Sequence, residues 1–269
     1  MDITIVPYDG TPRRLFHLLH PEDARAPYAV CFVHGGGWRA GEPAQWHGQM
    51  RAAAGRGVVS ASLGYRVGGR LNEMMADVAC GFRLFTGHLA ARGHGGLPVF
   101  LIGSSAGAHL ATLLTLTGPD PWLDPGSTPA HPESGRPAGC VSLNGPGTLV
   151  PWPGMDPEIR AAVDHLAGAT GADDTAAGRQ GGDGGPPTGY AAASPETWIT
   201  EAPVPPFLFV VVGKERFFPH RHVRDLAARL PEADVLLLPG AEHGFFYRVG
   251  TPDSGLAQAA VDAFIRRHV

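Results

Sequence analysis

Apolar positions along this chain fall into two patterns that alternate. Short runs with strand character lie near residues 3–7, 13–19, 28–34, 57–63, 97–102, 138–144, 206–213 and 233–239. Between them, apolar residues recur at helical spacing over 44–55, 71–92, 105–116, 221–230 and 254–268. Strand and helix patterns that take turns in this way predict an α/β fold, with a mostly parallel eight-stranded sheet carrying helices on both faces. Two stretches break the rhythm. Residues 119–137 hold six prolines and read as an irregular loop, and 168–189 hold eight glycines and read as a mobile segment.

Composition narrows the class. Hydrophobic residues make up 43% of the 269 positions and charged residues only 17%, which excludes a disordered chain and suits one globular domain over 1–269. A net charge of −4 with no basic stripe argues against a nucleic-acid partner. Cys31, Cys80 and Cys140 sit in apolar contexts without metal-ligand spacing, so they are expected as buried free thiols of a reducing compartment. The stretch Met1-Asp2-Ile3-Thr4-Ile5-Val6 begins at once with alternation and lacks the basic start and apolar core of a secretion signal. No apolar run is long enough to span a bilayer, so a cytoplasmic enzyme without a membrane span is expected. A homodimer is left open as a partner state.

The chemistry enters at mid-chain. The apolar run Pro98-Val99-Phe100-Leu101-Ile102 leads into Gly103-Ser104-Ser105-Ala106-Gly107, and then into a helical pattern starting at Ala108. This is G-x-S-x-G between a strand and a helix. A serine on such a turn projects its hydroxyl from the sheet edge, and a side chain two residues to either side would collide with strand or helix. The register selects Ser105 as nucleophile, because Ser104 is flanked at the same distances by Ile102 and Ala106. Upstream, the strand Ala29–Val33 runs into His34-Gly35-Gly36-Gly37-Trp38. Successive glycines let backbone N–H groups face a cleft, and Gly36, Gly37 and Ala106 are the expected oxyanion donors.

With HGGGW and GSSAGAHLA in place, the chain resembles the α/β-hydrolases of the hormone-sensitive-lipase and feruloyl-esterase-like (BD-FAE-like) type, relatives of the arylformamidases. The resemblance continues through Gly64-Tyr65-Arg66, Asp77-Val78, Ala193-Ser194-Pro195, the strand Phe207–Val212 with Gly213, and Gly240-Ala241-Glu242-His243-Gly244-Phe245. It implies an α/β-hydrolase fold with a small cap inserted over the active site. The segment 151–192 occupies the cap's place, and Glu158–Leu166 is patterned as one amphipathic helix, suggesting a lid.

A serine nucleophile needs a base, and the base needs an acid to hold its tautomer. In this fold they follow in the order serine, acid, histidine, and His243 stands in a turn similar to the family's His-Gly-Phe. His34 and His109 are expected to be structural. The acid departs from the family pattern. Relatives place Asp three residues after the glycine that ends the penultimate strand, but that spacing here falls on Arg216. If the loop is one residue short, Glu215 takes the role, its extra methylene offsetting the shorter backbone; Asp225 is the rival. The aromatics Trp38, Phe217, Phe218 and Phe245 beside these motifs are expected to contact substrate.

The expected activity is therefore hydrolysis of a carboxylic ester of a small, partly apolar or aromatic substrate through an acyl-enzyme, with no metal or organic cofactor. An arylformamidase-type amidase, a lyase or cyclase using the same site, and a non-catalytic binding protein remain as alternatives.

Overall fold

A computed structural model of the chain describes residues 2–11, 13–123, 135–168, 189–200 and 203–269. The mobility expected for the glycine-rich segment, and most of the proline-rich loop, lie outside the described residues.

The eight expected strands are present: β1 (Thr4–Pro7), β2 (Leu15–Leu19), β3 (Ala29–Val33), β4 (Val59–Leu63), β5 (Val99–Ser104), β6 (Gly139–Leu143), β7 (Phe207–Lys214) and β8 (Ala233–Glu242). They form one sheet in the order β1-β2-β4-β3-β5-β6-β7-β8. β1 and β2 pair antiparallel and β2 joins β4 antiparallel, whereas every pairing from β4 through β3 to β8 is parallel. The fold is thus that of an α/β-hydrolase.

The period-two geometry of strands divides the core. Cys31, Val33, Leu101 and Cys140 point to the face covered by α2 (Leu71–Ala91) and α3 (Ala106–Thr117), where Met74, Phe82, Phe85, Leu110 and Leu113 meet them. Val30, Phe32, Phe100 and Ile102 point to the other face, covered by α1 (His47–Ala54) and the C-terminal helix (Pro252–Arg267), against Met50, Val261 and Phe264. All three cysteines are buried and free.

The remaining helices are α4 (Pro157–Ala167), α5 (Gly189–Ala193) and α6 (His220–Ala228), which makes the C-terminal helix α7. Several ends differ from the pattern by two or three residues, and two of them have a clear local cause. α7 starts two residues before the expected 254, because Pro252 fits the first turn, where its missing N–H costs nothing. Thr251 and Ser254 then cap that turn reciprocally. β8 runs past Pro239 to Glu242, since it is an edge strand and its proline does not interrupt a central ladder. Among the described residues no helix is long and apolar enough to cross a membrane.

Candidate active site

β5 ends at the centre of the sheet, flanked by β3 and β6, and hands the chain directly to α3. Ser105 makes the turn between them with φ 55° and ψ −121°, a conformation that a non-glycine residue holds only when its surroundings enforce it. Enforcement comes from both sides. The Ser105 N–H donates to the Leu143 carbonyl of β6 at 2.8 Å. A Cβ on Gly103 would lie 2.3 Å from the Gly107 carbonyl oxygen, and one on Gly107 would lie 2.2 Å from that of Val33. Both glycines are thus required by close packing of backbone on backbone. Both serines border a cavity of about 650 Å³, but Ser104 is 1% exposed whereas Ser105 is half-buried.

The loop after β3 packs directly against the serine turn, where a Cβ on Gly35 would lie 2.7 Å from the Ser104 carbonyl oxygen. Gly36 has φ +118°, and its carbonyl accepts the Arg39 and Ala40 N–H groups, closing a tight turn. Gly36 and Gly37 line the cavity, and neither of their N–H groups has a protein acceptor among the described residues. Ala106, first in α3, has no partner for its N–H within the helix. The loop is held from beneath. His34 Nδ1 donates to the Gly35 carbonyl at 2.9 Å, its ring stacks on Tyr65 at 4.2 Å, and the Tyr65 hydroxyl donates to the His34 carbonyl. Burial lowers His34 to about 4, so it is neutral at physiological pH and serves as a fixed hydrogen-bond donor. Tyr247, far along the chain, accepts the Gly35 N–H on its hydroxyl at 2.8 Å.

His243 lines the same cavity, just beyond β8. Between the pairs Val212–Leu238 and Lys214–Glu242, β7 advances two residues and β8 four, so β8 bulges before delivering the histidine. His243 Nδ1 lies 2.9 Å from Glu215 Oε2 and 3.1 Å from Oε1. Glu215 Oε1 also accepts the backbone N–H groups of Arg216 and Phe217 at 3.0 and 2.9 Å, and Asn144 Nδ2 donates to Oε2 at 3.2 Å. Burial pushes the Glu215 carboxyl up, but the hydrogen bond and charge of His243 and the Phe217 and Phe218 N–H groups outweigh it, leaving the pKa lowered. Glu215 is therefore a carboxylate at neutral pH. Among the described residues no direct hydrogen bond joins Ser105 Oγ to His243, although both line the cavity.

The rival Asp225 is exposed on α6, and Glu242 turns outward to pair with Lys214. Of the four aromatics expected at the substrate, only Phe217 lines the main cavity, its ring edge-on to His243 at 4.9 Å. Trp38 is a correction: it is 1% exposed, and its indole N–H donates to His109 Nδ1 at 3.1 Å. The φ of +60° at Trp38 turns its side chain inward under the loop. His109 in turn donates from Nε2 to the Ala193 carbonyl, and burial lowers it to about 4. Phe218 is 3% exposed, packed against Trp38 and lining a separate small cavity behind Glu215. Phe245 is 8% exposed and belongs to the core on the α1 and α7 face. These aromatics support the site from behind because the turns that carry them need apolar filling.

Asn144 was missed in the sequence, since its contact spans 71 positions and no local pattern marks it; Tyr247 stands among the aromatics near His243, but its hold on Gly35, 212 positions away, has no local sign. The outer wall of the cavity is α4. Asp156 caps it by accepting the Glu158 and Ile159 N–H groups, and Glu158, Ile159 and Ala162 face the cavity.

The pattern of one protein family, BD-FAE, matches residues 17–230. A probable isoprenylcysteine alpha-carbonyl methylesterase, ICME, of Oryza sativa subsp. japonica is 34% identical over 113 residues, 40% of this chain and 27% of that protein. A second, ICMEL1 of Arabidopsis thaliana, is 31% identical over 107 residues, covering 39% and 22%. The chain thus spans about a quarter of the length of these curated relatives. In solved structures, Thermogutta terrifontis esterase 2 phosphonylated by sarin superposes with a TM-score of 0.75 at 24% identity, covering 97% of this chain and 92% of that one. Its propionate-bound form gives 0.75 at 23% identity, covering 98% and 94%.

Proposed function

This chain belongs to the BD-FAE family of α/β-hydrolases, and on that premise we propose that it is a serine hydrolase that cleaves carboxylic esters of small, partly apolar substrates through an acyl-enzyme. The observation that carries the reading is the strained Ser105 turn beside a cavity that also receives a histidine anchored to a carboxylate. Ser105 Oγ attacks the ester carbonyl while His243 Nε2 takes its proton. Glu215 holds the Nδ1 proton and stabilises the imidazolium, and the N–H groups of Gly36, Gly37 and Ala106 receive the oxyanion. His243 then gives its proton to the departing alkoxide. Water, activated by the same imidazole, attacks the acyl-enzyme, releases the acid and restores the serine.

Segment 151–192 acts in this scheme as a cap on a single domain, with α4 shielding the reacting centre from water. That two relatives are named as probable methylesterases supports the ester reading of this chain over the amide one. The test is a phosphonate probe read by intact and peptide mass. Wild type should gain one adduct on Ser105 and hydrolyse short-chain aryl esters, and Ser105→Ala should lose both, with turnover down by about 10⁴ or more. An adduct on Ser104, or full turnover by the Ser105 variant, refutes the assignment.

A further inference from the structure

The charges of the cavity carry information about substrate that the hydrolytic machinery does not use. Arg39 and Arg216 both line it. Arg39 follows Trp38 on the oxyanion loop. The inward turn of Trp38 and the hydrogen bond from the Arg39 N–H to the Gly36 carbonyl leave the Arg39 side chain exposed at the cavity wall. Arg216 follows Glu215, and its backbone N–H is bound to the same carboxylate that holds His243. Arg39 thus stands two residues beyond Gly37 on the glycine loop, and Arg216 one residue beyond Glu215 on the acid loop.

Neither guanidinium has a carboxylate partner among the described residues, whereas Arg14, Arg66 and Arg160 are ion-paired. Two carboxylates also line the cavity. Asp156 has Oδ1 committed to the N-terminus of α4, and Glu158 sits in that helix's first turn, where the positive end of the helix offsets its charge. Arginine matches the planar oxygens of carboxylate and phosphate better than any other side chain. The same cavity is lined by apolar side chains as well, Ile159 and Ala162 of α4 and Phe217.

Resting on the esterase reading above, we propose that the natural substrate is an ester with an anionic group, carboxylate or phosphate, separated from the scissile bond by a short apolar chain and held by Arg39 and Arg216. A neutral ester would be turned over by the same machinery without that hold.

Monoethyl adipate and diethyl adipate share one chain and differ by one charge, and ethyl 5-phosphonopentanoate supplies the phosphate-like arm. At low salt, kcat/KM for an anionic ester should exceed that for diethyl adipate about 10-fold, and the gap should close at high salt. The better of the two anions identifies the source. The double variant Arg39→Gln/Arg216→Gln should bring the anionic-to-neutral ratio close to one, and Glu158→Gln should raise it. A wild-type preference for the diester, or a ratio indifferent to loss of both arginines, overturns the proposal. If no ester is turned over, the esterase reading fails first. Calorimetric binding of adipate to Ser105→Ala, with and without the two arginines, still decides the charge question: weaker binding without them supports it, and equal binding refutes it.

Discussion

Glu215 gathers several parts of the site, with three backbone N–H groups, one amide and one imidazole converging on its two oxygens. Glu215→Gln should keep the fold and lower kcat by about 10² to 10⁴, because a neutral amide neither fixes the tautomer nor stabilises the imidazolium. Glu215→Asp is the sharper variant. It keeps the charge but shortens the side chain by one methylene, so it cannot hold the backbone N–H groups and reach His243 together, and steady-state rates should fall although the charge is kept. Acid stability follows from the same contacts. Since the folded pKa of Glu215 is lowered, the ionised group contributes stability fully above the ordinary carboxylate range and loses it as pH falls through the lowered value. Thermal melts of wild type should therefore decline more steeply in that acid window than those of Glu215→Gln; parallel curves would contradict the coupling.

At the scale of elements, the strand, turn and helix around Ser105 were legible because three independent constraints coincide there: a buried apolar run, glycines at fixed offsets and helical periodicity. The loop after β3 was equally legible in its glycines, but not in the direction of Trp38. A positive φ reverses a side chain without leaving a mark in the sequence, so an aromatic residue that looked like a substrate wall became a support for His109. Pro239-Gly240 read as the end of β8 for a similar reason. Only the pairing with β7 reveals a bulge that the strand continues beyond. The helix α4 was readable from its amphipathic spacing, and its asymmetry makes a prediction. Ile159 faces the cavity, so Ile159→Trp should narrow the acyl side and reduce kcat/KM for an octanoate ester about 10-fold more than for an acetate ester. An unchanged chain-length profile would place acyl binding elsewhere.

Across the whole molecule, the N-terminal strands are tied to the site through Asp77, fully buried on α2. It accepts Arg14 Nε at 2.7 Å, and from Arg66 both the backbone N–H at 2.9 Å and Nε at 2.8 Å. Arg66 adjoins Tyr65, whose hydroxyl fixes the His34 carbonyl, so one carboxylate braces β2, β4 and the glycine loop after β3. Asp77→Asn, which leaves the volume unchanged, should cost about 2 to 3 kcal/mol in denaturant unfolding, the scale of charged hydrogen bonds. The span of contacts also has a temporal meaning. β5, its serine and the glycine loop are made in the first half of the chain, yet β8, His243 and Tyr247 are among the later residues to be synthesised. A nascent chain stalled before residue 233 would carry the nucleophilic serine without a base, and a glycine loop still lacking its tyrosine clasp. On the mechanism proposed above, such a chain has no base for Ser105 and should form no phosphonate adduct until the last parallel strand has been added to the sheet.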